Sequence, residues 1–225
     1  MADSEAEPSY WEFSETLVTK AWAEKRKLAD CLRELVALCV ATDAPEDLLG
    51  SCRSELDKVR DRLTAHPGKT FREHFPGLKS LDEFAVFADR ATLVGHCNPY
   101  APPMKMAFEG RLASATVTFG IPFEGGPGLV HGGIVAAAFD QLFGYLQERI
   151  GAPGLTRTLT VHYDRPTPLL TELLFAGRPV RSEGRLHHVE GELTVDGKVT
   201  ARAEGVFVSL EVDALRRLFA GVPHR

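Results

Sequence analysis

Apolar residues recur at helical spacing through the first quarter of the chain. Leu28, Leu32, Leu35 and Cys39 fall at steps of four, three and four, which draws one stripe along a helix. The pattern predicts helix from residue 15 to about 65, broken at Ala41-Thr42-Asp43-Ala44-Pro45. Asp43 with Glu46 three residues on reads as a capping box, with Pro45 in the first turn. Beyond it Leu49, Cys52, Leu56, Val59 and Leu63 repeat at the same steps. Two amphipathic helices joined by a short link predict a helical hairpin. Its stripes must be covered by the rest of the protein or by a second chain, and a structural cap is favoured over a partner-recruiting module.

The period changes after His66-Pro67-Gly68, which breaks the helix. Residues 67–103 carry scattered Pro, Gly and aromatics, and Tyr100-Ala101-Pro102-Pro103 reads as extended. Strands are predicted over Leu112–Phe119, Thr156–Asp164, Leu169–Val180, His187–Val195 and Val199–Leu210. In Thr156–Asp164 the alternation puts Leu159, Val161 and Tyr163 on one side and Thr156, Thr158, Thr160 and His162 on the other. Asp196-Gly197 is a two-residue hairpin signal, because both central residues of a type I′ turn need positive φ.

One helix, Val130 to about Ile150, divides the early strand from the late ones. Ile134 to Phe139 is apolar on every side, so this half is expected to be wrapped by protein. One long buried helix among antiparallel strands predicts an α+β fold with a sheet curled round the helix.

Asp140 interrupts that helix. A carboxylate among apolar residues loses water, at a cost of several kcal/mol unless partners compensate. Ala136, Ala137, Phe143 and Gly144 share its face, with Gly133 one turn further up. Apart from Phe143 these are the smallest residues available, and they leave space over the acid for a substrate or for a closely packed helix. The plain alternative is an aspartate bonded to a neighbouring strand or helix end. The helix start, Pro127 to Gly133, supplies a second signal. The first N–H groups of a helix lack internal partners, and glycine lets a ligand oxygen approach them, as a developing oxyanion requires. Packing and phosphate binding also use glycine-rich helix starts. His131 either positions a carbonyl or fixes the turn, and the second role is favoured.

Composition narrows the classes. The 225 residues are 44% hydrophobic and 25% charged, a globular balance that excludes disordered and collagen-like chains. A net charge of −5 argues against a nucleic-acid surface. The longest apolar run, Leu35 to Ala41, is far short of a membrane span. The acidic start MADSEAEPSY is unlike a secretory signal, so a cytoplasmic location is expected. Cys31, Cys39, Cys52 and Cys97 form no CxxC pair, and they and the adjacent pairs His96-Cys97 and His187-His188 lack metal-ligand spacing, so reduced thiols and no metal are expected.

Helix rise then constrains assembly. Gly132 and Asp140 lie eight residues apart, about 12 Å along one helix. A reacting carbon needs its oxyanion donor and its base within about 3 Å, directly or through water. One copy of the helix cannot supply both. Two antiparallel copies can, so a catalytic pair of these groups requires at least a homodimer with shared sites.

The run FEGGPGLVHGGIVAAAFDQLFG, followed by TRTLTVHYDRPTPL, resembles the hotdog-fold acyl-CoA thioesterases, of the phenylacetate-degradation type and its mitochondrial relatives. The resemblance covers about residues 98–210. It rests on HGG, an Asp nine residues after the His, and a hydroxyl residue seven before the Tyr of Y-x-R-P. It implies that Asp140 activates water or attacks directly, that Thr156 orients that water or the carboxylate, that the Gly132 N–H polarises the thioester carbonyl, and that His131 supports the turn. In several relatives an Asn stands six residues before the histidine; here that position is Gly125, and nearby Glu124 cannot donate in its place.

The expectation is a 1–66 helical extension followed by a 67–225 hotdog domain that hydrolyses acyl-CoA without a cofactor beyond the substrate's own coenzyme A. Gly133, Ala137, Phe143 and Gly144 would line the acyl site, with Leu142 nearby. Arg165 of Y-x-R-P leads Arg157, Arg178, Arg181 and Arg185 as a phosphate ligand. The assembly would be a homodimer or a pair of dimers. Two alternatives stay open: a hotdog dehydratase using His131 with Asp140, and a non-catalytic acyl-thioester binding or scaffolding protein.

Overall fold

A computed structural model describes residues 19–68, 70, 73 and 88–211. Residues 15–18 of the predicted first helix, the acidic start and most of 69–87 lie outside the described residues. The elements run α1 (Lys20–Ala41), α2 (Glu46–Thr64), β1 (Lys105–Glu109), β2 (Leu112–Thr118), a 3₁₀ turn (Ile121–Phe123), α3 (Gly132–Arg149), β3 (Gly154–Tyr163), β4 (Glu172–Glu183), β5 (Leu186–Val195) and β6 (Lys198–Ser209).

The six strands make one antiparallel sheet in the order β1-β2-β4-β5-β6-β3. α3 lies in its curl, the predicted α+β arrangement. Phe139, Leu142, Phe143, Tyr145 and Leu146 of the helix are fully buried, as are Leu173, Phe175 and Leu193 of the sheet. β1 escaped the sequence reading, because it is a five-residue edge strand with half-exposed alternation. β4 starts three residues later than expected, since Leu170 takes φ 57° and Leu169 N–H is turned to Gly128. Asp196 and Gly197 have φ of 49° and 72°, as the hairpin reading requires.

The helix is seated by a notch in the sheet. A Cβ built on Gly177, Gly191 or Gly205 would lie 3.1, 2.9 or 3.0 Å from the ring of Phe143. Gly177 and Gly191 are cross-strand partners on β4 and β5, and Gly205 follows on β6. The missing side chains let the ring sink between three strands. At Gly191 a Cβ would also stand 2.6 Å from the Ala176 carbonyl oxygen, so backbone as well as ring must shift. Gly191→Ala is therefore expected to destabilise the protein by about 1–3 kcal/mol through overpacking. Urea denaturation monitored by circular dichroism measures it, and an unchanged midpoint would show that the notch is slack.

The N-terminal helices correct two expectations. Leu28 and Leu35 of the α1 stripe remain exposed, as do Leu49, Leu56 and Leu63 of α2, which buries no side chain. α1 docks instead by the face of Trp22, Arg26, Ala29 and Arg33. Asp89, only 3% exposed, accepts from Trp22 Nε1 at 2.6 Å, Arg26 Nε at 3.0 Å, His96 N–H at 3.1 Å and Cys97 Sγ at 2.9 Å. Arg33 donates to the carbonyls of Asn98 at 2.8 Å and His96 at 3.1 Å. A carboxylate and two guanidinium groups, rather than an apolar stripe, define the docked side. Nor does Asp43 form a capping box: Pro45 is the N-cap of α2, without a side-chain bond, and Thr42 Oγ1 accepts from Ala44 N–H.

Burial alone would raise the Asp89 pKa, but hydrogen bonds from Arg26, Cys97 and Trp22 outweigh it and hold the carboxyl below its ordinary value. Burial, then Asp89 itself, pushes the Cys97 thiol up to about 12. A depressed carboxylate stabilises docking fully above its unfolded value, about 3.9, and loses that contribution as pH falls through the folded value. Acid is thus expected to loosen α1 below about pH 4. Trp22 fluorescence reports it, and Asp89→Asn should flatten that response; a response unchanged in the variant would refute the assignment.

Candidate active site

α3 begins where a tight loop delivers it. Glu124 to Val130 folds back on itself, with Gly125 N–H on the Leu129 carbonyl at 2.9 Å and Leu129 N–H on that of Gly126 at 2.9 Å. Glu124 caps the loop by accepting from Gly128 N–H at 2.6 Å, where Gly128 takes φ 71°. Val130 N–H bonds Thr167 at 3.0 Å, stitching the loop to the chain before β4. His131 is the N-cap of α3: its Nδ1 accepts from Gly133 N–H at 3.0 Å, which requires the ring proton on Nε2. Ile134 and Val135 N–H both turn to the His131 carbonyl. Of this first turn Gly132 N–H alone takes no acceptor among the described residues.

Gly125, the position at which several members of the resembled family were expected to hold Asn, admits no side chain. A Cβ there would lie 2.7 Å from His131 Cα and 3.0 Å from its Cβ. The departure is structural: this loop closes onto the histidine so tightly that hydrogen is the only substituent that fits.

Tyr163, which heads the Y-x-R-P run, is a site residue that sequence pattern alone does not single out. Its hydroxyl donates to the Gly132 carbonyl at 2.7 Å and ties the last residue of β3 to the first turn of α3. Burial raises the pKa of that hydroxyl, so it remains a donor at neutral pH.

Asp140 stands two turns further on. It is half-buried, and in the Ile134–Phe139 half expected to be wrapped, Ala137 is exposed and Ile134 and Ala136 are half-buried in the protomer. The sheet covers one arc of α3. The other arc is open: His131, Gly133 and Ala137 are exposed, with Ile134, Gln141 and Gly144 half-buried beside them. A Cβ built on Gly144 would meet nothing within 4 Å.

Thr156 Oγ1 donates to Asp140 Oδ1 at 2.7 Å. Simple alternation puts Thr156 on the face opposite Leu159 and Tyr163, but the strand does not alternate simply. A bulge between Thr156 and Thr158 lets Thr156 pair with the buried Phe207 while Leu159 pairs with Gly205 of the notch. Cross-strand partners share a face, so the extra residue, Arg157, turns Thr156 toward the helix.

Other expected site residues fall elsewhere. Phe143 is fully buried in the glycine notch and offers no surface to a ligand in the protomer. Leu142 is likewise core. Arg165 donates through Nη1 to the Val199 carbonyl at 2.6 Å and is otherwise exposed. Arg178 is paired with Glu190 and Arg181 with Glu183. Arg157 has no acidic partner among the described residues. A groove of about 430 Å³ crosses the outer face of the sheet between Arg178, Glu190, Glu192 and Arg202, on the side away from Asp140. Its arginines are neutralised by their neighbours, so it is no part of this site.

Arranged this way, the open arc of α3 offers an oriented carboxylate at one end and an unengaged amide donor at the other. No helix of the described residues is long and apolar enough to cross a membrane. Residues 127–201 match the family model described as Thioesterase superfamily. A solved thioesterase superfamily protein is 28% identical, covering 82% of this chain and 94% of its own, with a TM-score of 0.72. Coverage of 82% is more than residues 66–225 can supply, so the match extends into the N-terminal helices. A Streptococcus mutans protein bound to acetyl CoA is 22% identical over 48% of this chain and 88% of its own, TM-score 0.46. A variant of the phenylacetic acid degradation protein PaaI of Thermus thermophilus is 20% identical over 48% and 93%, TM-score 0.45. The resemblance carried by the HGG run and Asp140 holds at the level of the superfamily.

Proposed function

We propose that this thioesterase-superfamily chain hydrolyses acyl-CoA thioesters to a free acid and coenzyme A, as a homodimer whose two sites are each built from both protomers. The observation that carries the reading is the Thr156–Asp140 hydrogen bond at 2.7 Å. It occupies Oδ1 and leaves Oδ2 to take a proton from water. The water oxygen then bonds to the thioester carbon, the carbonyl oxygen gains the negative charge, and the Gly132 N–H of the partner subunit receives it. Collapse breaks the C–S bond, and the thiolate leaves to be protonated by Asp140 or solvent. In the variant reading Oδ2 itself attacks, and water cleaves the resulting anhydride.

Three features support the dimer. Gly132 and Asp140 lie eight positions apart, about 12 Å along one helix, too far for one thioester. The open arc of exposed Gly133 and Ala137 and half-buried Gly144 carries the smallest side chains, so a second α3 can approach antiparallel, which sets the start of one helix beside the acid of the other. β3 is also an edge strand, open on its outer side beside that arc.

Gly133, Ala137 and Gly144 then flank the acyl group, and exposed Arg165 and Arg157 are the basic groups we assign to the phosphates of coenzyme A. No dedicated cofactor is called for, because thiolate is a good leaving group. We draw the boundary of the helical extension at residue 66 and place the protein in a reducing cytoplasm. His131 spends Nδ1 on its cap, which weighs against its serving as the acid–base partner of a dehydratase.

Thiol release measured across short, long and aromatic acyl-CoAs tests the proposal. Turnover on at least one class is the expected result. Hydration of an enoyl-CoA without thiol release, or binding without turnover on every class, would replace it with the hydratase or the scaffold reading.

A further inference from the structure

The hydrophobic core is complete without α1: it gathers the sheet, α3, Leu93 and Met104, and includes no residue of the N-terminal helices. Among the described residues α1 is held by polar bonds to the Asp89–Asn98 segment ahead of β1, buries Ala29, and packs against the 3₁₀ turn Ile121–Phe123. That turn is wedged by ring contacts, Phe123 edge-on to Phe119 at 5.3 Å and to Tyr100 at 6.1 Å. Its last carbonyl, that of Phe123, accepts from His131 N–H at 2.9 Å. The next residue in the chain is Gly132.

We propose that α1, pinned through Trp22 and Arg26 to Asp89, is a positioning element that holds the Phe123 turn and through it the His131–Gly132 amide end of α3. This rests on the reading of Gly132 as the oxyanion donor. Trp22, Arg26 and Asp89 touch no substrate; they act through Phe123. An amide aimed at a developing charge loses much of its value when displaced by about 1 Å, so the cost of loosening α1 falls on the chemical step. The contacts also assign the extension a task that folding of the sheet does not demand.

The test uses the full-length chain with Cys31, Cys39 and Cys52, all exposed, replaced by serine, so that the buried Cys97 is the one thiol left. In that background Trp22→Phe with Arg26→Gln removes two of the donors to Asp89. Maleimide labelling of Cys97 should accelerate, showing that the pin has loosened, while the far-ultraviolet spectrum keeps its strand signal. The backbone amide resonances of His131 and Gly132 should shift. On the best acyl-CoA, kcat and kcat/KM should fall together by about tenfold, the pattern of a donor displaced rather than deleted. Trp22 with Arg26→Lys, which keeps a cation beside Asp89, should recover most of the loss. Faster labelling with unmoved His131 and Gly132 resonances would overturn the proposal, as would labelling unchanged from the parent. If the parent releases no thiol from any acyl-CoA, the hydrolase reading fails by itself, and the resonances still decide whether α1 governs the Gly132 amide.

Discussion

Asp140→Asn is expected to lower thiol release at least about 100-fold, the usual contribution of a positioned general base. The substitution is almost isosteric. An asparagine Oδ1 still accepts from Thr156 Oγ1, so the 2.7 Å link between α3 and β3 survives. The position is half-buried on the open arc, and loss of its charge leaves no orphan in the core. What disappears is the second carboxylate oxygen, whether it serves as proton acceptor or nucleophile. Acyl-CoA should therefore bind nearly as before while kcat collapses, a split that calorimetric titration alongside kinetics resolves. A single turnover of the parent protein in ¹⁸O-labelled water then separates the two chemistries. Direct attack, with water then cleaving the anhydride at the aspartyl carbon, leaves one unlabelled protein oxygen in the first acid released, whereas base catalysis labels it at once. Activity of the asparagine protein within a few-fold of the parent would remove Asp140 from the mechanism.

The second large effect is expected at Gly125. Asparagine there restores the residue of the resembled family, and a reader of sequences alone would expect it to help. The coordinates predict the reverse. Its Cβ would stand 2.7 Å from His131 Cα, a distance no side chain can relieve because backbone is on both sides. The loop must open, which draws His131 off the Gly133 N–H and turns the Gly132 amide from its direction. Gly125→Asn, and Gly125→Ala equally, should cost about 100-fold in kcat, comparable to loss of one oxyanion donor. Gly126→Ala is the control, since its Cβ would meet only a Leu129 methyl at 3.9 Å. An active Gly125→Asn protein would mean that the loop is freer than the contact implies and that an asparagine can enter the site after all.

Much of this was legible in the residues. The 3.6-residue period located α1, α2 and α3, and Asp196-Gly197 located the last hairpin, because those signals depend on neighbours in sequence. The special standing of Asp140 was legible for the same reason, a charge out of place in its own helix. The face of Thr156 was not. A bulge adds one residue without any compositional mark, and every side chain before it changes sides. The docked face of α1 was hidden because its determinant, Asp89, lies far away in sequence and is polar. Periodicity finds apolar stripes, and here the stripes of Leu28 and Leu35 or of Leu49 and Leu56 are the sides left uncovered. Tyr163 was visible as a letter in Y-x-R-P, but its bond to the Gly132 carbonyl depends on how β3 crosses α3.

The hollow that receives Phe143 has a consequence for how such a chain can change over generations. Ring and hollow are two halves of one shape, written in parts of the gene that no local rule connects. A smaller side chain on the helix opens a void, and a larger residue on any of the three strands collides with the ring. Neither half can drift unless the other answers it. A phenyl group facing three bare α-carbons thus makes the seat of the helix a lock cut to one key.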